Sequence, residues 1–174
     1  AGGAGTLVSP TDGHAANSIV LSSITTVAGS TNGAITVSAG SSGAHLLSVG
    51  APILTTPTNA GTVGGSVLLE STGALTLFGG GTITTTGNAA AAGEVFLHRV
   101  AGTTAAITMG TEITAPGGVA TILNDQGNVI VNGNITGAVV QLQGTGSITG
   151  TGALLGEGTL VAKTTNATGD GRID

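Results

Sequence analysis

The chain has 174 residues, of which 33 are glycine, with hydrophobic residues at 40%, charged residues at 6% and a net charge of −5. That much apolar content with so little charge excludes intrinsic disorder, and glycine without a three-residue period excludes collagen. Lys163, Arg99 and Arg172 are the only lysine and arginines, too few for binding nucleic acid or an anionic membrane by counterion release, and no apolar run is long enough for a membrane helix.

Residues 1–18 form a leading segment that opens on the glycine-rich stretch Ala1 to Gly5. From Ile19 onward, short apolar–polar–apolar triplets bounded by Gly, Asn, Ser or Pro predict strands. The first are Ile19-Val20-Leu21, Ile24-Thr25, Ile35-Thr36-Val37, Leu47-Ser48-Val49 and Ile53-Leu54-Thr55. Val67-Leu68-Leu69, Leu75-Thr76-Leu77, Ile83-Thr84, Val95-Phe96-Leu97 and Ile107-Thr108-Met109 follow. Ile113-Thr114, Ala120-Thr121-Ile122, Val129-Ile130-Val131 and Ile135-Thr136 complete the series. Helical windows are absent because Gly and β-branched residues are spread too densely.

The triplets recur in a fixed order of three kinds. The clearest beat is the Ile-Thr series, in which Ile24, Ile53, Ile83 and Ile113 follow one another at 29 to 30 residues. A sustained internal period marks a chain wound into stacked coils. Alternate residues face opposite sides of a strand, so the outer members of each triplet point into a common interior. The expected fold is all-β, a parallel β-solenoid with three short strands per coil, and roughly six or seven coils at ~4.8 Å give a rod of about 30 Å.

Later coils tighten: Ile135 to Leu154 is 19 residues and Ile122 to Leu142 is 20. Earlier coils then carry extra loops, expected at Gly40 to Ala44, Pro57 to Gly65, Gly87 to Gly93 and Gly102 to Ala105. Residues 19–162 hold the coils and 163–174 form a polar tail. Neither end offers a capping helix, which implies a piece of a longer protein or a subunit that stacks end to end on its open edges. A Gly/Thr-rich β-sandwich is the competing fold, disfavoured because it has no reason to repeat one dipeptide at a steady spacing.

The segments Gly65-Ser66-Val67-Leu68-Leu69, Gly73-Ala74-Leu75-Thr76-Leu77, Gly127 to Thr136 and Gly158-Thr159-Leu160-Val161 resemble the repeats of bacterial secreted β-helical proteins. The families are the filamentous-haemagglutinin-like exoproteins and the autotransporter passengers. The resemblance implies a right-handed parallel β-helix, exported to the cell surface, that acts in adhesion or as a structural stalk.

Candidate chemistry is sparse. Acid–base work needs paired carboxylates, and the acids are scattered along the chain. Glu70 and Glu94 flank the first strand of successive coils, so stacking can bring them near each other, but the preferred reading of the acids is solvated charge that keeps the rod soluble. His14 and His45 are about one coil apart, but no third metal ligand follows at a recognisable spacing. The tail Asn166 to Asp174 resembles the front of a calcium loop of the EF-hand and dockerin kind. Asn166, Thr168, Asp170 and Asp174 stand at its ligand positions, and the acid at position 12 is missing. Threonine rows such as Thr84-Thr85-Thr86 read as hydroxyl ladders on a pleated surface.

The functional expectation is a non-enzymatic, structural or adhesive β-solenoid of a bacterial cell-surface or secreted protein. Its partners are itself, stacked end to end into fibres, or a cell-surface receptor or glycan. Calcium is the only cofactor considered. Two alternatives stand beside it: a glycan-binding or glycan-processing β-helix using Glu70, Glu94 and Glu112, and a self-assembling fimbrial subunit completed by a neighbour's strand.

Overall fold

A computed structural model describes residues 5–8, 19–28, 33–40, 43–100, 104–165 and 172–174. Among them every regular element is a strand. The first coil contains β1 (Gly5–Val8), β2 (Ile19–Leu21) and β3 (Ile24–Ala28). The next two repeat it as β4 (Ile35–Ala39), β5 (Leu47–Val49) and β6 (Ile53–Pro57), then β7 (Val67–Ser71), β8 (Leu75–Leu77) and β9 (Ile83–Thr85). The fourth begins with β10 (Val95–Arg99) and β11 (Ile107–Met109). From there the plan changes. The third strand of one coil and the first strand of the next fuse into β12 (Ile113–Asn124), and after β13 (Val129–Val131) again into β14 (Ile135–Gly144). The pattern closes with β15 (Ile148–Thr149) and β16 (Leu154–Thr164).

First and third strands belong to one sheet of ten strands, and second strands to another of six. All pairings between these strands are parallel. Among the described strands the antiparallel layers of a sandwich therefore have no counterpart, and the repeated parallel strands stack in a solenoid-like architecture. In the larger sheet, β12 joins two branches that are separate in the earlier coils, so that sheet bends almost closed around the interior. The fusion follows from loop loss: where Pro57 to Gly65 once separated third from first strand, Pro116-Gly117-Gly118 now leaves only a shift of register between Ala115 and Val119.

The recurrent isoleucines do align. Ile24, Ile53, Ile83, Ile113 and Ile135 are direct neighbours on successive coils, followed by Leu154. Ile53, Ile83, Ile113 and Ile135 have no exposed surface. The first strands add two buried columns, Ile35, Val67, Val95, Ala120 and Val140 beside Val37, Leu69, Leu97, Ile122 and Leu142. The second strands add two more, Leu47, Leu75, Ile107 and Val129 beside Val49, Leu77, Met109 and Val131. Strands of three to five residues suffice because each residue pairs with the coil above and the coil below, while β-branched and aliphatic side chains fill a narrow interior.

A further inward column is polar. Thr26, Thr55 and Thr85 are the third residues of the third strands, and each hydroxyl donates to a glycine carbonyl, Gly33, Gly65 and Gly93, at 2.7, 2.7 and 2.8 Å. These glycines each lie two residues before the next first strand and stack on one another. An added Cβ at Gly93 would lie 2.3 Å from the Gly65 carbonyl oxygen. The threonine rows are thus not uniformly solvated: Thr84 faces outward and Thr85 is fully buried.

The winding also reaches beyond 19–162. β1 in the leading segment pairs with β4, and Lys163 and Thr164 belong to β16. In the tail, Ile173 bridges in parallel to Ile148 and so continues the six-stranded sheet by a rung. Among the described residues no helix is long and apolar enough to cross a membrane, which says nothing of spanning by strands.

Candidate functional site

Chemistry concentrates on the outer face of the larger sheet, across the first strands. Alternation places Ser38, Glu70, His98, Leu123, Gln143 and Lys163 in one outward column, each the register partner of the next. Two residues earlier on each strand runs a parallel column: Thr36, Leu68, Phe96, Thr121, Gln141 and Val161.

His98 is the hub. Its Nδ1 lies 3.2 Å from Glu70 Oε2, one coil before, and its Nε2 lies 3.3 Å from Asp125 Oδ2, one coil after. Ser38 Oγ extends the ladder by donating to Glu70 Oε1 at 3.3 Å. Two carboxylates offer only acceptors, so the ring satisfies both when each nitrogen carries a proton. Phe96 lies two residues before His98 on the same side of β10, and the rings stack with centroids 5.4 Å apart and planes 11° from parallel. The acids hold the imidazole, and the imidazole holds the phenyl ring.

Beneath them the next residue, Arg99, points inward and has no exposed surface. Its Nη1 donates to the Gln126 carbonyl at 2.7 Å and to Asn124 Oδ1 at 3.3 Å, and its Nη2 donates to the Thr72 carbonyl at 3.3 Å. Burial depresses the Arg99 guanidinium below its ordinary value, and the nearby Asp125 carboxylate opposes that shift. Asn124 in turn donates to the carbonyls of Ala105 at 2.9 Å and Asn128 at 2.8 Å. The turn that carries Asp125 to His98 is thereby built on a buried polar cluster.

Beside this ladder the face is hollowed. Thr121, a short side chain, separates Phe96 from Gln141 in one column, and Leu123 separates His98 from Gln143 in the other. The result is a concavity of about 210 Å³, walled by Phe96, Thr121, Leu123, Gln141, Gln143, Val161 and Lys163.

Glu70 and Glu94, which stacking could have brought together, do not meet. Val95 pairs with Val67, so Glu94 sits over Ser66 while Glu70 sits over His98. Four positions of strand, roughly 13 Å, separate the two carboxylates along the sheet. Glu112 leads the third strand of its coil, where its Oε1 accepts from the Thr114 hydroxyl at 3.0 Å, so the three acids share no groove. His45 is buried at a corner, where its backbone N–H donates to Thr72 Oγ1 at 3.2 Å; His14 lies outside the described residues.

Of the calcium candidates, Asn166, Thr168 and Asp170 also lie outside the described residues. The Asp174 carboxylate pairs with Arg172, and its backbone N–H donates to the Ile148 carbonyl at 3.0 Å. Among the described residues no group of three or more His, Cys, Asp or Glu side chains is arranged to hold a metal ion.

Residue spacing carried a signal for the ladder: Glu70, His98 and Asp125 follow one another at 28 and 27 residues, one coil each. The burial of Arg99 carried a weaker one: alternation from Val95 and Leu97 puts it on the inward side, but the partners that satisfy a buried guanidinium come from neighbouring coils and loops and are not visible locally. The chain matches no protein-family model, no curated protein and no solved structure.

Proposed function

We propose that this chain is a structural and adhesive section of a bacterial cell-surface or secreted protein, a right-handed parallel β-helix with three strands per coil and no enzymatic activity. The observation that carries the reading is the unbroken register of Ile24, Ile53, Ile83, Ile113, Ile135 and Leu154 through six coils. Every coil is hydrogen-bonded to its neighbours and locked to them by aliphatic columns, so the object resists bending as a unit and presents regular outer faces along its length. Parallel strands joined by crossovers take the right hand almost without exception.

The outer faces favour contact over chemistry. They carry short hydroxyls, few charges and exposed apolar side chains such as Val20, Phe78 and Leu155. So low a surface charge does little to deter association, and coils stacked end to end make fibres. Two measurements test this. Solution scattering should give an elongated particle, and a compact globular envelope would sink the fold. Electron microscopy and sedimentation across concentrations should reveal end-to-end assemblies, and discrete monomers throughout would remove self-assembly while leaving adhesion to be tested on cells.

The glycan-binding reading keeps a specific observation in its favour, the Phe96 ring held beside exposed glutamine amides, though not the acids first expected to carry it.

A further inference from the structure

We infer that the concavity between Phe96 and Lys163 is a saccharide subsite that takes one sugar ring bearing a carboxylate, a hexuronate-type unit. The inference rests on the adhesive reading and names where and how the contact is made.

Size comes first. About 210 Å³ falls below the ~300–1,000 Å³ of sites for drug-sized ligands, which suits a single ring resting over Thr121. Phe96 and Gln141 stand one rung to either side of Thr121, roughly 10 Å apart from coil to coil. A pyranose offers an apolar face of C–H bonds and a rim of hydroxyls. The Phe96 ring, Leu123 and the exposed Val161 supply the apolar contact. The exposed amides of Gln141 and Gln143 and the Thr121 hydroxyl supply donors and acceptors for the rim.

Charge then selects among sugars. On a chain of net charge −5, the ammonium at this rim is Lys163. Arg99 is buried against backbone carbonyls and Asn124, and Arg172 is paired with Asp174. Among the described residues no carboxylate pairs with Lys163. Lys163 is therefore the cation left to meet a ligand, and its point charge fits a carboxylate on the ring. The wall opposite is set in advance: Glu70 and Asp125 hold His98, which stacks on Phe96. Those three are positioning residues, since they act through the phenyl ring.

The test titrates methyl glucuronide and methyl glucoside into the chain while following the Gln141 and Gln143 side-chain amides by NMR. Glucuronide should shift both amides with an affinity on the order of millimolar, as expected for one small ring. Glucoside should bind about three- to fivefold more weakly, the size of one exposed charge contact. Lys163→Gln should bring glucuronide down to the glucoside level with an unchanged thermal melt. His98→Ala should weaken both sugars alike, which a purely structural His98 remote from the ring would not do. No shift at Gln141 and Gln143, equal affinity for the two sugars, or an unaffected K163Q variant would each overturn the inference. Parallel cell-adhesion assays separate the two proposals. Adhesion that survives K163Q unchanged sinks the subsite alone, whereas glucuronide binding without any adhesion sinks the adhesive reading alone.

Discussion

The Thr85 hydroxyl donates to the Gly93 carbonyl oxygen at 2.8 Å across a buried corner, tying the end of one coil to the start of the next. Thr84, its neighbour in sequence, faces out from the same strand. Replacing Thr85 by Val keeps the shape and strands the buried carbonyl, and should cost about 1–3 kcal/mol. Thr84→Val should stay within about 0.5 kcal/mol of the parent. Chemical denaturation of the two variants side by side checks the contrast, and equal losses would mean the corner is solvated.

Gly93 is constrained by proximity. Its missing Cβ would lie 2.3 Å from the Gly65 carbonyl oxygen, a backbone atom with no room to yield. Gly93→Ala should therefore destabilise by more than the about 1 kcal/mol that separates Gly from Ala by propensity alone, and in the opposite direction to a permissive site. Gly80 has no positive φ, and its missing Cβ would lie 3.6 Å from the Gly50 carbonyl oxygen, an ordinary contact, so crowding should make no contribution when Ala is placed there. The difference in melting temperature between the two variants reads it out.

Ile113 occupies the centre of the isoleucine column, fully buried between Ile83 and Ile135. Ile113→Ala should cost about 2–5 kcal/mol and Ile113→Val about 0.5–1.5 kcal/mol, the ordinary scale for cavities in a close-packed core. A loss near zero for the alanine variant would mean that this column does not hold the coils together.

Arg99 spreads two terminal nitrogens over three acceptors in different directions. A lysine ammonium cannot span them. Arg99→Lys should thus destabilise by about 1–3 kcal/mol although the charge is kept, and Arg99→Met should do no better, since it removes the hydrogen bonds to the Thr72 and Gln126 carbonyls and the Asn124 side chain. Full stability in the lysine variant would show that charge, rather than the planar fork, is what the corner requires.

His98 and Asp125 are partly buried at the surface and still reached by solvent, so their coupling should be small. A double-mutant cycle with His98→Ala and Asp125→Ala should return about 0.2–1 kcal/mol. The spectroscopic consequence is larger: the Phe96 ring loses its stacking partner, and its NMR resonances should move in His98→Ala and remain in place in Thr36→Ala, a change at a residue of the same column on another coil.

Local pattern by itself determined the winding. Apolar–polar alternation over three to five residues, punctuated by Gly, Asn and Pro, states which side chains face inward, and the beat of Ile24, Ile53, Ile83 and Ile113 states which rungs are neighbours. What pairs across coils at the strand ends was legible only once register was fixed. A shift of four positions is all that separates the Glu70–Glu94 approach that stacking allowed from the observed Glu70–His98 contact, and loops of unequal length hide such shifts from the sequence. The fusion of third and first strands into β12 and β14, and the partners that satisfy the inward Thr85 hydroxyl and the inward Arg99 guanidinium, were likewise decided by tertiary structure. Each depends on how much space a neighbouring coil leaves at a corner, a quantity that no stretch of chain encodes for itself.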